Sequence, residues 1–321
     1  MIIYGSKYIK LQNDYIPELV PYKVISSSLP YNNIKAILMN DIKDVTNIGT
    51  NSYKVLFDRD VFYKGILGDI ECFYIRTLMQ YINITRSRDL MSNCWNIVSQ
   101  YYLNFFAVTS FLRFLFTGNI YLTSDEAKCI ESVIMTITTQ PISINSGNYL
   151  FMTNETAWGD IEVEITKSSR DSHEQTWISL SNFINQIALH PNKDDESTIY
   201  ESLKQICISY KPNFVSSLRN MINYQPIYGY NSLCNSFRYY APRFNLEDNI
   251  SELLCFNNDA DLNYKIKISS IYGNFFFHLV NKLYSNYIER SRPDSYLLRL
   301  KRQYLSNSGI NVPETITWHN K

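Results

Sequence analysis

The spacing of apolar positions divides the chain into two styles. Up to about residue 65 the apolar groups fall in short runs, Ile2 to Ile9, Ile34 to Met39 and Tyr53 to Phe57. Turn-forming stretches such as Pro30-Tyr31-Asn32-Asn33 and Asn47-Ile48-Gly49-Thr50-Asn51 separate them, a pattern that predicts strands. From Gly68 the period becomes helical: Ile70, Phe73, Tyr74, Thr77, Leu78 and Tyr81 fall on one face. A second helix is predicted from Trp95 to Phe116, stopped by Thr117-Gly118. A third opens at Thr123-Ser124-Asp125-Glu126, where a hydroxyl can cap free amides and acids favour the positive end of the dipole. Pro141 ends it.

Period two then returns. Tyr149 to Met152 and Asp160 to Ile165 alternate, which predicts a β-hairpin inserted near 145–168 between helices. Helices resume over Trp177–Leu189, Ser197–Tyr210, from Pro212 or Asn213 to about Tyr224, Tyr272–Ile288 and Ser295–Leu305, with a Tyr/Pro/Asn-rich loop from Gln225 to Pro242. The expectation is an α+β, predominantly α chain. Its two parts are a β-rich domain over 1–66 and a helical domain over 67–321 that carries the hairpin.

The stretch Trp95–Phe116 is long enough to span a bilayer, but Asn96, Ser99, Gln100, Asn104 and Arg113 lie within it. An internal arginine is costly in lipid, so a core helix is expected and no membrane. The opening MIIYGSKYIKLQND lacks the apolar core of a signal peptide, which points to a cytoplasmic location. Six cysteines without a CxxC pair read as buried, reduced thiols. Thirty basic residues against thirty acidic ones exclude a globally basic nucleic-acid coat and an acidic disordered tail. The 26 tyrosines are first a sign of AT-rich coding.

Most catalytic chemistries are excluded by what the motifs lack. His173, His190, His278 and His319 have no HxxxH or HExxH spacing, so no metal and no cofactor is expected. Neither a phosphate-cradling glycine loop nor a Gly-x-Ser-x-Gly elbow occurs. Asp160, Glu162 and Glu164 share a strand face, but Ile165 stands where a metal nuclease needs an acid two residues before Lys167. A solvated face explains them better. Near the C-terminus Arg290, Arg292, Arg299, Lys301 and Arg302 are interleaved with tyrosines, a stripe that can contact phosphates and stack on bases. A solvated amphipathic helix is the competing account.

Two segments resemble HEPN-type domains. Ser99 to Gly118 is similar to the second HEPN helix, in which a Tyr-Tyr pair leads a small-and-aromatic stripe. Leu218-Arg219-Asn220-Met221-Ile222-Asn223-Tyr224 resembles the HEPN Arg-Asn motif. The resemblance covers roughly residues 70 to 225. It implies a helical bundle and a place in prokaryotic anti-phage or conflict systems, with a homodimer or a multi-protein complex as the working form. Active members follow the Arg with a His four to six positions on; here Asn223, Tyr224 and Gln225 fill that window. The chemistry therefore looks degraded. Arg219, Asn220, Asn223 and Tyr224 are the expected site, Arg219 and Asn220 holding phosphate and Tyr224 a weak acid. The expected role is a defence component that binds RNA, DNA or a protein partner without strong catalysis. A metal-independent endoribonuclease centred on Arg219 and Tyr224, or a purely structural subunit, are the alternatives. A pairing of Arg219 with an acid such as Glu201 would make it structural.

Overall fold

The computed structural model describes residues 5–22, 33–87, 93–138, 142–155, 159–189, 195–224, 246–258 and 261–291. The described chain is α+β and mostly helical, with one five-stranded antiparallel sheet. The predicted helix Ser295–Leu305 and the loop Gln225–Pro242 lie outside the described residues.

The first 66 residues differ from expectation. Ser6–Leu19 is a helix, α1, and Ile34–Asn40 another, α2. In α1 the buried groups Tyr8, Leu11, Ile16 and Leu19 recur at helical spacing, which the β-branched start at Ile2-Ile3 obscures. In α2 the apolar run has no polar side to reveal a period, because Ile34, Ala36, Ile37 and Leu38 are all buried. Asn33, read as part of a turn, is its cap: the side chain accepts from Ala36 N at 2.9 Å.

Strands β1 (Asp44–Gly49) and β2 (Ser52–Phe57) form a hairpin as the alternation of Tyr53, Val55 and Phe57 requires. This hairpin does not stand alone. The sheet order is β1-β2-β5-β4-β3, in which β4 is Gly147–Glu155, β5 is Ile161–Ser168 and β3 is Thr117–Leu122. Phe57 faces Ile161 and Val55 faces Val163, so strands from both sides of residue 66 share one sheet. One face of β5 buries Ile161, Val163 and Ile165. On the other, Glu162 pairs with Lys54 at 2.9 Å, and Asp160 just ahead of the strand pairs with Lys43 at 3.0 Å. The acidic row is thus a solvated, lysine-paired face. Strand β3 was not expected; the chain turns into it directly after the core helix.

That helix, α4 (Asn93–Phe114), is the axis of the helical layer. It packs between α3 (Arg59–Ser87) and α10 (Leu262–Ser291). Its N-terminal turn is less buried than its apolar pattern implies: Trp95 is 63% exposed. No helix among the described residues is long and apolar enough to cross a membrane. Helix α5 (Ser124–Ile137) starts with the capping box Thr123/Glu126. Helices α6 (Ser172–Ala188), α7 (Asp195–Tyr210), α8 (Phe214–Tyr224) and α9 (Leu246–Leu254) complete the layer. No disulfide joins any two of the five described cysteines, and Cys129 and Cys255 are exposed where buried thiols were expected.

A buried arginine helps to join bundle and sheet, beside the hydrogen bonds of Asn119 on β3 with Ser172 and Thr176 on α6. Arg113, in the last turn of α4, donates from Nε to Asp69 of α3 at 2.8 Å. Its Nη1 donates to the carbonyl of Thr117 at 3.1 Å and Nη2 to that of Asn119 at 2.8 Å, both on β3. The guanidinium also lies 4.6 Å from the ring centre of Phe151 on β4. Gly118 has φ +147°, and a Cβ there would fall 1.7 Å from Arg113 Nη1. Arg113→Ala should cost about 3–5 kcal/mol, the usual result of stranding one partner of a buried ion pair. Gly118→Ala should lower stability without removing any hydrogen-bonding group. Denaturant unfolding measures both, and a parental midpoint for either variant would show that the contact carries no weight.

Candidate functional site

A cavity of about 250 Å³ opens between α4, α8, α9 and α10. Ile97, Val215, Leu218, Ile266 and Ile271 give it apolar walls. Its polar lining comes from Asn96, Gln100, Asn104, Arg219, Asp248, Asn249, Glu252, Lys267, Ser269 and Ser270.

The floor is built by the crossing of α4 and α10. A Cβ on Gly273 would lie 2.0 Å from Asn104 Cγ, so only glycine lets the two helices approach this closely. Gln100 Nε2 donates to Asn104 Oδ1 and to Asn274 Oδ1, each at 2.8 Å, and Asn104 Nδ2 donates to Ser269 O at 3.3 Å. These bonds fix the Gln100 amide with its oxygen pointing away from both acceptors. Gln100 Oε1 is buried and has no partner.

Arg219 enters from α8. It is only 9% exposed, and among the described residues no carboxylate pairs with it. Glu201, the acid expected for that role, meets Lys204 instead, at 3.8 Å. The Arg219 guanidinium lies 5.1 Å from the ring centre of Tyr101 and 6.0 Å from that of Tyr102, and its Nε is buried without an acceptor. The two segments that resemble HEPN helices therefore meet in space, the arginine of one on the Tyr-Tyr pair of the other. Ring faces compensate part of a buried cation's lost hydration; a carboxylate or a bound anion would compensate more.

The remaining expected site residues part company from Arg219. Asn220, Asn223 and Tyr224 are exposed and are not among the cavity's lining residues. Leu218, Arg219 and Ile222 form the buried face of α8, whereas Tyr224, at its last position, is 72% exposed. Of the basic stripe, Arg290 is exposed at the end of α10; Arg292, Arg299, Lys301 and Arg302 lie outside the described residues. Among the described residues no group of three or more His, Cys, Asp or Glu could hold a metal.

The protein-family models, curated proteins and solved structures compared with the chain include no match.

Sequence reasoning missed His173. It sits in the first turn of α6, placed by the Asp171 cap, whose carboxylate accepts from Glu174 N at 2.8 Å. Its Nδ1 lies 2.8 Å from the Tyr101 hydroxyl, and Trp177 Nε1 donates to that same hydroxyl at 3.4 Å. The direction of the Tyr101–His173 hydrogen bond is set by the imidazole tautomer, because the phenol oxygen accepts from Trp177 and still has a lone pair and a proton to offer. The linear spacing from Arg219 back to His173 is 46 residues, which no local motif could signal.

Burial holds the His173 pKa below its ordinary 6.5, the nearby positive Arg219 lowers it further, and Asp171 pulls it back upward. Tyr101 is raised above 10.0, mainly by burial. Between the folded and unfolded pKa values of His173 the unfolded chain binds more protons. Stability is accordingly full above pH 6.5 and falls as the pH drops through that value. Arg219→Ala should move the His173 titration, followed by NMR, toward its ordinary value and flatten this acid slope. An unchanged titration would mean that the two groups are not coupled.

Proposed function

We propose that this protein is a binding component whose cavity holds a small anion-bearing ligand against Arg219. The observation that carries the reading is the buried Arg219 guanidinium on the wall of the cavity, with no carboxylate paired to it among the described residues. A cation removed from water requires a counter-charge, and the protein supplies aromatic faces in its place. A cavity of about 250 Å³ suits a small molecule and is far too confined for a polynucleotide track. In this reading a small ligand takes the place of the RNA or DNA that the HEPN resemblance implies. Regulated binding without strong catalysis fits a component of an anti-phage or conflict system. That wider role rests on the resemblance of Ser99–Gly118 and Leu218–Tyr224. Assembly as a dimer or within a larger complex belongs to the same proposal and is read by light scattering.

One observation favours a second reading, the metal-independent ribonuclease. His173 is held near Arg219 through Tyr101 and is kept largely neutral near pH 7. This gives the site an imidazole that its linear motif lacks. The histidine is not among the lining residues, however, and reaches the cavity only through the Tyr101 hydroxyl.

A small-anion panel separates the two readings. Inorganic phosphate or a simple carboxylate should raise the melting temperature of the parent and leave that of Arg219→Ala unmoved. Labelled RNA incubated with chelator should stay intact. RNA cleavage abolished by His173→Ala, with no anion effect, would replace the binding reading with the nuclease.

A further inference from the structure

We infer that the ligand of this cavity is a 2-hydroxy carboxylate with an apolar side chain, and that Gln100 recognises its hydroxyl. The inference rests on the anion-binding reading of Arg219 and extends it to a second group. Arg219 lies on the rings of Tyr101 and Tyr102, 5.1 and 6.0 Å from their centres. Gln100 immediately precedes that pair on α4, and Gln100 and Arg219 both line the cavity. Gln100 is 5% exposed and Arg219 9%. Each keeps one buried polar atom without a partner, Oε1 of the glutamine and Nε of the arginine.

The neighbours of Gln100 decide the chemistry of its free atom. Asn104 gives its Nδ2 to the carbonyl of Ser269 at 3.3 Å, which leaves its Oδ1 for Gln100. Gln100 must then meet Asn104 with its amide nitrogen, and the same Nε2 donates to Asn274 Oδ1, both at 2.8 Å. Both Nε2 protons are used, so the unpartnered atom is an acceptor. A buried acceptor left unpaired is costly, and one N–H or O–H relieves it. A ligand that satisfies both groups therefore carries an anionic oxygen and a hydrogen-bond donor. A carboxylate meets the guanidinium. The donor that suits Gln100 is a hydroxyl, which brings one proton to one neutral oxygen. An ammonium would bring three protons and a charge that a single amide oxygen does not offset. A hydroxyl on the carbon beside the carboxylate keeps both polar groups at one end of the ligand. The remainder then meets Ile97, Val215, Leu218 and Ile266 within the cavity of about 250 Å³.

Isothermal titration calorimetry on the full chain tests this with both enantiomers of 2-hydroxy-4-methylpentanoate and of 2-hydroxy-3-phenylpropanoate. Each is compared with the acid lacking the hydroxyl, with the 2-methoxy acid, which keeps the oxygen but loses the proton, and with the 2-amino acid. Inorganic phosphate probes the anion site alone. At least one hydroxy acid should bind, with its three counterparts weaker by about tenfold or more. Gln100→Met should bring the hydroxy and deoxy acids to equal affinity, and Arg219→Met should abolish the binding of both. Melting curves establish that the variants fold; if Gln100→Met does not, the methoxy comparison on the parent chain carries the distinction. A deoxy or methoxy acid that binds as tightly as the hydroxy acid, tighter binding of the amino acid, or binding of phosphate alone would overturn the hydroxyl contact and leave the anion site standing. Silence across the whole panel would remove both.

Discussion

The fold turns on the buried Arg113 guanidinium. A charge placed in the interior costs several kcal/mol in lost hydration unless every donor finds an acceptor. Arg113 meets that demand with one carboxylate from α3 and two carbonyls from β3, and lies over Phe151. Satisfying it fixes several things together. Helix α3 must present Asp69 to the end of α4, the chain must reverse within Leu115-Phe116, and β3 must aim its carbonyls back at the helix. Gly118 leaves the space for this. Once β3 is placed, β4 and β5 follow through the ladder, and β2 joins the far side of β5. The sheet is therefore anchored to the bundle by a polar contact set among apolar neighbours.

Arg219 is the informative contrast. Both arginines are buried, both lie over aromatic rings, and both belong to the helical layer. Arg113 has all three of its guanidinium nitrogens engaged, whereas Arg219 has an idle Nε and no carboxylate among the described residues. The first is what a structural arginine looks like when the fold supplies its partners. The second lies against Tyr101 and Tyr102 with its Nε buried and without an acceptor among the described residues, and it lines the cavity between α4, α8, α9 and α10. The same α4 helix serves both, its C-terminal end holding the sheet and its N-terminal half flooring the cavity. Ligand contacts at Gln100 or Asn104 would thus act on the helix that carries Arg113.

The helical body was readable because long amphipathic segments repeat their period many times over. Thr123 and Glu126 announced a cap, and Tyr53 to Phe57 announced a strand, from local chemistry alone. Helices α1 and α2 were misread as strands because short β-branched runs carry no period of their own. Strand β3 escaped notice because Thr117-Gly118 resembles a simple helix stop; its carbonyls become strand-like only when Arg113 and β4 are there to receive them.

What the sequence by itself determined was composition-level and local: a predominantly helical α+β chain, a core helix at Trp95–Phe116, an alternating pair near 145–168, and Arg219 as the residue to watch. Tertiary structure decided the rest. It split Arg219 from Asn220, Asn223 and Tyr224, because a helix buries one stripe and exposes the other whatever the linear neighbours are. It brought Arg219 and His173 to Tyr101, contacts separated by 118 and 72 positions along the chain. Such contacts depend on how helices cross, and the crossing of α4 with α10 depends on a glycine at 273 whose significance appears only when Asn104 is seen against it. Periodicity reports which face of an element is buried; it carries no information about which other element that face will meet.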